Sequence, residues 1–119
     1  MKNLFDLSGK TILITGAAGI LGRQHVNAVI SHGATAILAD IDIEKVRELC
    51  IEFKKKHSNA IVHAEYMDVL DEESIKHVAE KYEKIDVLIN NAAKDTKVEN
   101  KGDLSSSNRF ELMKLDHWR

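Results

Sequence analysis

"LITGAAGILGRQHV", residues 13–26, decides how this chain is read. Its three glycines, Gly16, Gly19 and Gly22, stand three residues apart between an apolar run and a helical pattern. The run, residues 10–15 (KTILIT), is apolar on both faces, as a central strand of a parallel sheet must be. Beyond the turn come Leu21 and then Val26, Val29 and Ile30, the last three at three- and four-residue steps, and Gly33 stops the pattern. A strand, a glycine turn and a helix in that order suit a ligand that presses phosphate against main chain. A Cβ in the turn would obstruct the approach. The helix start offers unpaired N–H groups and a positive dipole end, and a glycine one turn in lets the helix lie close on the strand.

The same alternation continues downstream. Residues 35–40 (TAILAD) read as a second strand and residues 44–57 as a second helix, with Val46, Leu49, Cys50 and Phe53 inward and Lys54, Lys55 and Lys56 on a solvated face. Residues 60–69 are a third strand. Asp71 caps a third helix whose apolar stripe is Ile75, Val78, Ala79 and Tyr82. Residues 85–93 (IDVLINNAA) are a fourth strand ending in two asparagines. Residues 94–108 form a long polar loop, and residues 109–119 approach a further helix. The order β-α-β-α-β-α-β implies an α/β fold with a parallel sheet and right-handed crossovers. The expected architecture is a Rossmann-type doubly wound sheet, incomplete at four strands and three crossover helices. Residues 1–119 make up the N-terminal part of a single nucleotide-binding domain.

Composition excludes several classes. Seventeen basic and 19 acidic residues, mixed along the chain, leave a net charge of −2, without the clustered basic excess of a nucleic-acid binder. No apolar run reaches the ~20 residues of a membrane span. The N-terminus lacks a secretory apolar region, so the cytoplasm is expected. The single Cys50 suits a reducing compartment and is read as core. The six histidines lack paired ligand spacing, so no metal site is expected, and His25, His57 and His77 are read as solvated on helices. No glycine is followed by the Lys-Ser/Thr pair of a P-loop.

Asp40 ends the second strand. A carboxylate there accepts hydrogen bonds from adenosine ribose hydroxyls and repels a 2′-phosphate, which favours NAD over NADP. Asp42 stands close enough to serve as the helix cap instead.

These residues resemble the short-chain dehydrogenase/reductases along essentially the whole chain. TGAAGILG (15–22) resembles that family's cofactor turn. Asp68-Val69 resembles its adenine-contacting pair, and NNAA (90–93) its N-N-A-G signature. The glycine spacing resembles the family's longer, epimerase-like branch. NNAA and the closing LDHW resemble the shorter dehydrogenase branch, and they weigh more. The resemblance implies that Gly16, Gly19, Ile20, Leu21 and Gly22 line the dinucleotide. It implies that Asp68 meets the adenine amino group and Val69 the ring edge, that Asn90 braces the sheet, and that Ala92 lies near the nicotinamide-side ribose. It also implies homo-oligomers of the full-length enzymes and a small alcohol or carbonyl substrate. That substrate is sugar-derived if the likeness to bacterial members associated with surface-sugar synthesis holds.

In the family a tyrosine acts as general acid/base, with a lysine four residues later to lower its pKa. An unperturbed tyrosine titrates near ~10, so a cation beside it is needed. Here Tyr66 is followed at that spacing by Leu70 and Tyr82 by Asp86. Ser105, Ser106 and Ser107 do not match the family's catalytic serine. No catalytic residue is assigned. The expectation is a truncated chain that holds the cofactor half and is inactive alone. Two alternatives remain at this point: a non-catalytic NAD-binding or interaction module, and an S-adenosylmethionine-dependent methyltransferase-like fragment, against which NNAA argues.

Overall fold

Strands and helices alternate in the structure, a computed structural model that describes residues 3–93. In chain order they are β1 (Thr11–Thr15), α1 (Ile20–Ser31), β2 (Thr35–Asp40), α2 (Ile43–Lys56), β3 (Val62–Tyr66), α3 (Glu72–Lys81) and β4 (Val87–Ile89). The strands form one parallel sheet in the order β3-β2-β1-β4. The expected polar loop at 94–108, the helix approach at 109–119 and Ser105–Ser107 lie outside the described residues.

The period of two in the strands sorts side chains onto two cores. Ile12, Ile14, Ala36, Leu38 and Val62 face α1 and α2, where Val26, Val29, Ile30, Val46, Leu49, Cys50 and Phe53 close over them. Leu13, Ile37 and Ala39 face the other way, toward Val78 of α3, Met67, Tyr82 and Ile85. Both faces of β1 and β2 are therefore covered, which is why those two segments read as unbroken apolar runs. Cys50 is core as expected, and burial pushes its thiol pKa up.

Helix ends follow local chemistry. Asp42 caps α2 by accepting the Lys45 N–H at 3.2 Å, and Asp71 caps α3 through the Glu73 N–H at 3.1 Å. α1 ends in a paired closure: the Gly33 N–H donates to the Ile30 carbonyl and the Ala34 N–H to that of Val29, with Gly33 at φ +89°. Lys54, Lys55 and Lys56 are exposed in the last turn of α2, where cations oppose the helix dipole.

Four expectations need correction. The third and fourth strands are shorter than their apolar runs, because loop residues flanking a strand are apolar here too. Within α3 itself the stripe fully buries only Val78. Ile75 and Ala79 on the same stripe are exposed. Tyr82 is the C-cap of α3 and half-buried, with its hydroxyl on Glu65 at 2.6 Å. His57 caps the end of α2 with its Nε2 buried and without a hydrogen-bond partner, so it is not a solvated helix histidine.

Candidate functional site

β2 and β3 extend the sheet on one side of β1, and β4 lies on the other. The chain therefore reverses direction across the sheet at β1, and a crevice opens at the carboxyl ends of β1 and β4. Ligands of open α/β sheets bind at such a reversal.

Gly16 leaves β1 at φ +65°. A Cβ there would stand 2.8 Å from the Ala92 Cα, so both conformation and space require glycine. A Cβ on Gly22 would strike the Gly16 carbonyl, which is how tightly α1 is set onto the turn. Gly19 is the N-cap of α1, exposed, with no side-chain cap.

Main-chain donors can be followed one by one through the turn. The Ala17 N–H goes to the Ala39 carbonyl at 3.2 Å, the Gly19 N–H to that of Gly16 at 3.1 Å, and the Ala18 N–H to Asp40 Oδ2 at 3.0 Å. Ile20, Leu21 and Gly22 form the first turn of α1, whose N–H groups have no intrahelical acceptor. Gly22 is buried, and Ile20 and Leu21 are the exposed members of this turn. Ile20 and Leu21 are 87% and 67% exposed, so nothing stands over them.

Across the crevice, buried Thr15 ties β1 to β4. Its Oγ1 accepts the N–H groups of Asn91 and Ala92, both at 3.1 Å, and Asn91 Nδ2 donates to the Gly16 carbonyl at 3.1 Å. Bracing of the sheet thus falls to Asn91. Asn90, expected in that role, is exposed just past the end of β4.

The adjoining cleft encloses about 360 Å³ and is lined by Gly16, Asp40, Ile41, Met67, Asp68, Val69, Leu70, Ala92 and Ala93. Of the expected site residues, Gly16, Asp40, Asp68, Val69 and Ala92 meet there. Gly19, Ile20, Leu21 and Gly22 stand at the helix start beyond its rim. The Asp68 carboxylate accepts the Leu70 N–H at 2.9 Å, and its main-chain N–H donates to Ser74 Oγ at 2.9 Å, so the loop after β3 is held open by its own bonds. Ile41, Met67 and Leu70 are lining residues that the motifs do not mark. Their signal is apolarity in loops at carboxyl ends of strands, with Ile41 65% and Leu70 71% exposed.

The family described as short chain dehydrogenase matches residues 10–116. The chain belongs to that family. Its four parallel strands and three helices match the fold of that family's solved members. It is 40% identical over 91 residues to a sorbitol dehydrogenase of Cereibacter sphaeroides, covering 73% of this chain and 34% of that one. It is 31% identical over 107 residues to a short chain dehydrogenase/reductase of Colletotrichum higginsianum, covering 87% and 39%. The L-sorbose reductase of Gluconobacter frateurii, solved with NADPH and L-sorbose, superposes with a TM-score of 0.70 at 25% identity over 81% of this chain and 39% of that one. The chain thus spans less than two-fifths of each of these three proteins. Membership in this family displaces the methyltransferase alternative. No helix among the described residues is long and apolar enough to cross a membrane.

Proposed function

We propose that these residues are the cofactor-holding portion of a cytoplasmic, NAD-dependent oxidoreductase that moves a hydride between nicotinamide and an alcohol or carbonyl. The observation that carries this reading is Asp40: a carboxylate at the end of β2, opening into the cleft beside the glycine turn. The fit of a dinucleotide rests on three features. Glycine faces the crevice where a Cβ would collide, the exposed start of α1 at Ile20 and Leu21 presents first-turn N–H groups, and an apolar slot lies past Asp40.

In this reading the N–H groups of Ile20, Leu21 and Gly22 meet the pyrophosphate, and Asp40 accepts the adenosine ribose hydroxyls. The free oxygen of Asp68 meets the adenine amino group, Val69 covers the ring edge, and Ala92 borders the nicotinamide-side ribose. The bound nicotinamide carries the hydride. The proton of the alcohol needs a base, and neither tyrosine has a lysine four residues on. The 119 residues alone are therefore expected to bind NAD and to turn over no alcohol.

Calorimetric titration with NAD and with NADP tests the reading. NAD should bind at least about tenfold more tightly, because a 2′-phosphate would face the Asp40 carboxylate at hydrogen-bond distance. Equal or tighter binding of NADP would overturn it.

A further inference from the structure

Every N–H of the glycine turn from Ala17 to Gly19 is used within the protein, but they are used differently. Ala17 and Gly19 donate to main-chain carbonyls. Ala18, buried between them, donates to a side chain 22 residues away, Asp40 Oδ2. The other oxygen, Oδ1, accepts the Asp42 N–H at 3.0 Å, which fixes the plane of the carboxylate. On the opposite flank Asn91 Nδ2 holds the Gly16 carbonyl. The turn is thus held from β4 at its first residue and from β2 at its third.

We propose that Asp40 is a positioning residue for the phosphate turn, holding the Ala18 N–H so that the first-turn donors of α1 point at the pyrophosphate. An ionised carboxylate has about four lone-pair sites. Two are taken by Ala18 and Asp42, and two remain for the vicinal hydroxyls of a ribose. One group therefore links the ribose end of the site to its phosphate end. This inference rests on the dinucleotide reading above. Its consequence runs against simple charge logic: removing the carboxylate relieves repulsion of a 2′-phosphate, yet it also frees the turn. The buried Ala18 N–H would be left without an acceptor, and the chain would gain no NADP affinity.

Two variants separate the tether from the charge. Asp40→Ala removes both. Asp40→Asn removes the charge but keeps one carbonyl oxygen for Ala18. Adenosine and ADP are titrated against each, and the ratio of their dissociation constants gives the phosphate contribution. In Asp40→Ala that ratio should fall roughly tenfold or more, and NADP should bind no better than to the parent. In Asp40→Asn the ratio should be kept. Should both variants weaken adenosine and ADP by the same factor, Asp40 is a ribose ligand only and the proposal is wrong. Hydrogen exchange of the Ala18 amide, followed without ligand, reads the tether directly. It should speed up about tenfold in Asp40→Ala and little in Asp40→Asn, and unchanged exchange in both would overturn the tether. If the parent chain binds neither adenosine nor ADP, the dinucleotide reading fails while the exchange result still decides the tether. Circular dichroism of both variants identifies any loss of fold.

Discussion

Gly16 and Gly19 belong to one motif but answer to different constraints, and the same substitution should separate them. Alanine at 16 meets a positive φ and the Ala92 main chain at 2.8 Å. It should cost about 2 kcal/mol or more, read as a lower urea midpoint. Gly19 has φ −77° and ψ 173°, ordinary for alanine, and its added Cβ would stand 3.3 Å from one carbonyl oxygen. Gly19→Ala should stay within about 0.5 kcal/mol of the parent. Equal losses at both positions would mean that the Ala92 main chain does not press on the turn. A second test concerns Tyr82. Burial, and then the Glu65 carboxylate that accepts its hydroxyl, raise its pKa above the ordinary value near 10. The folded state thus favours the protonated phenol. Its stabilisation is complete below about pH 10 and is lost as pH rises beyond that. Tyr82→Phe should cost about 1–3 kcal/mol at neutral pH, by leaving buried Glu65 with one donor fewer, and should flatten the alkaline loss above pH 10. An unchanged alkaline limb in denaturation curves would remove Tyr82 as its source. At this scale the sequence showed which motifs to examine but not how the roles divide within them. Asn90 and Asn91 are the same residue type side by side, and only the fold shows that Asn91 bonds the Gly16 carbonyl. Thr15 received no role of its own from the sequence, yet its hydroxyl holds two N–H groups just past the end of β4.

Among the elements, α2 was legible because local and tertiary signals agree, while α1 starts without a side-chain cap and leaves Leu21 of its apolar pattern exposed. Asp42 caps and four apolar positions recur at helical steps, and all four of those in α2 are buried. In α3 the signals part. Its cap, Asp71, is where the sequence places it, but periodicity alone reports which residues share a face and not whether anything covers that face. Val78 is fully buried against the sheet while Ile75 is 39% exposed. Val78→Ala should therefore cost about 2 kcal/mol and Ile75→Ala under about 0.5 kcal/mol, measured by thermal or urea unfolding. Similar losses would mean that both residues of the stripe pack against the sheet. The strand ends were blurred for a related reason. Loops at the carboxyl edge of the sheet carry Ile41, Met67, Val69 and Leu70, apolar residues that line the cleft. They extend the hydrophobic runs past the last ladder bond. The feature that made β3 look longer than it is also marks the site.

Across the whole molecule the sheet is asymmetric, and the asymmetry can be tested with one pair of neighbours. β1 is flanked by β2 and β4, and both of its faces are covered. Among the described residues β4 lies at an edge, with Val87 41% and Leu88 52% exposed. Leu13 and Leu88 are register partners on adjacent strands, yet Leu13 is only 7% exposed. A lysine at 13 would place an unpaired charge among Ile37, Ala39 and Val78, and should abolish cooperative unfolding. A lysine at 88 has solvent within reach, so it should change stability by no more than about 0.5 kcal/mol. It should also reduce self-association, because an exposed apolar edge strand offers unpaired main-chain groups to another copy and a charge there opposes pairing. Sedimentation velocity of the parent chain and of Leu88→Lys, over a range of concentrations, reads that difference, and thermal unfolding of both reads the stability. If Leu88→Lys is as damaging as Leu13→Lys, β4 is covered in solution. If it folds normally and associates as strongly as the parent, the contacts between copies lie on another surface.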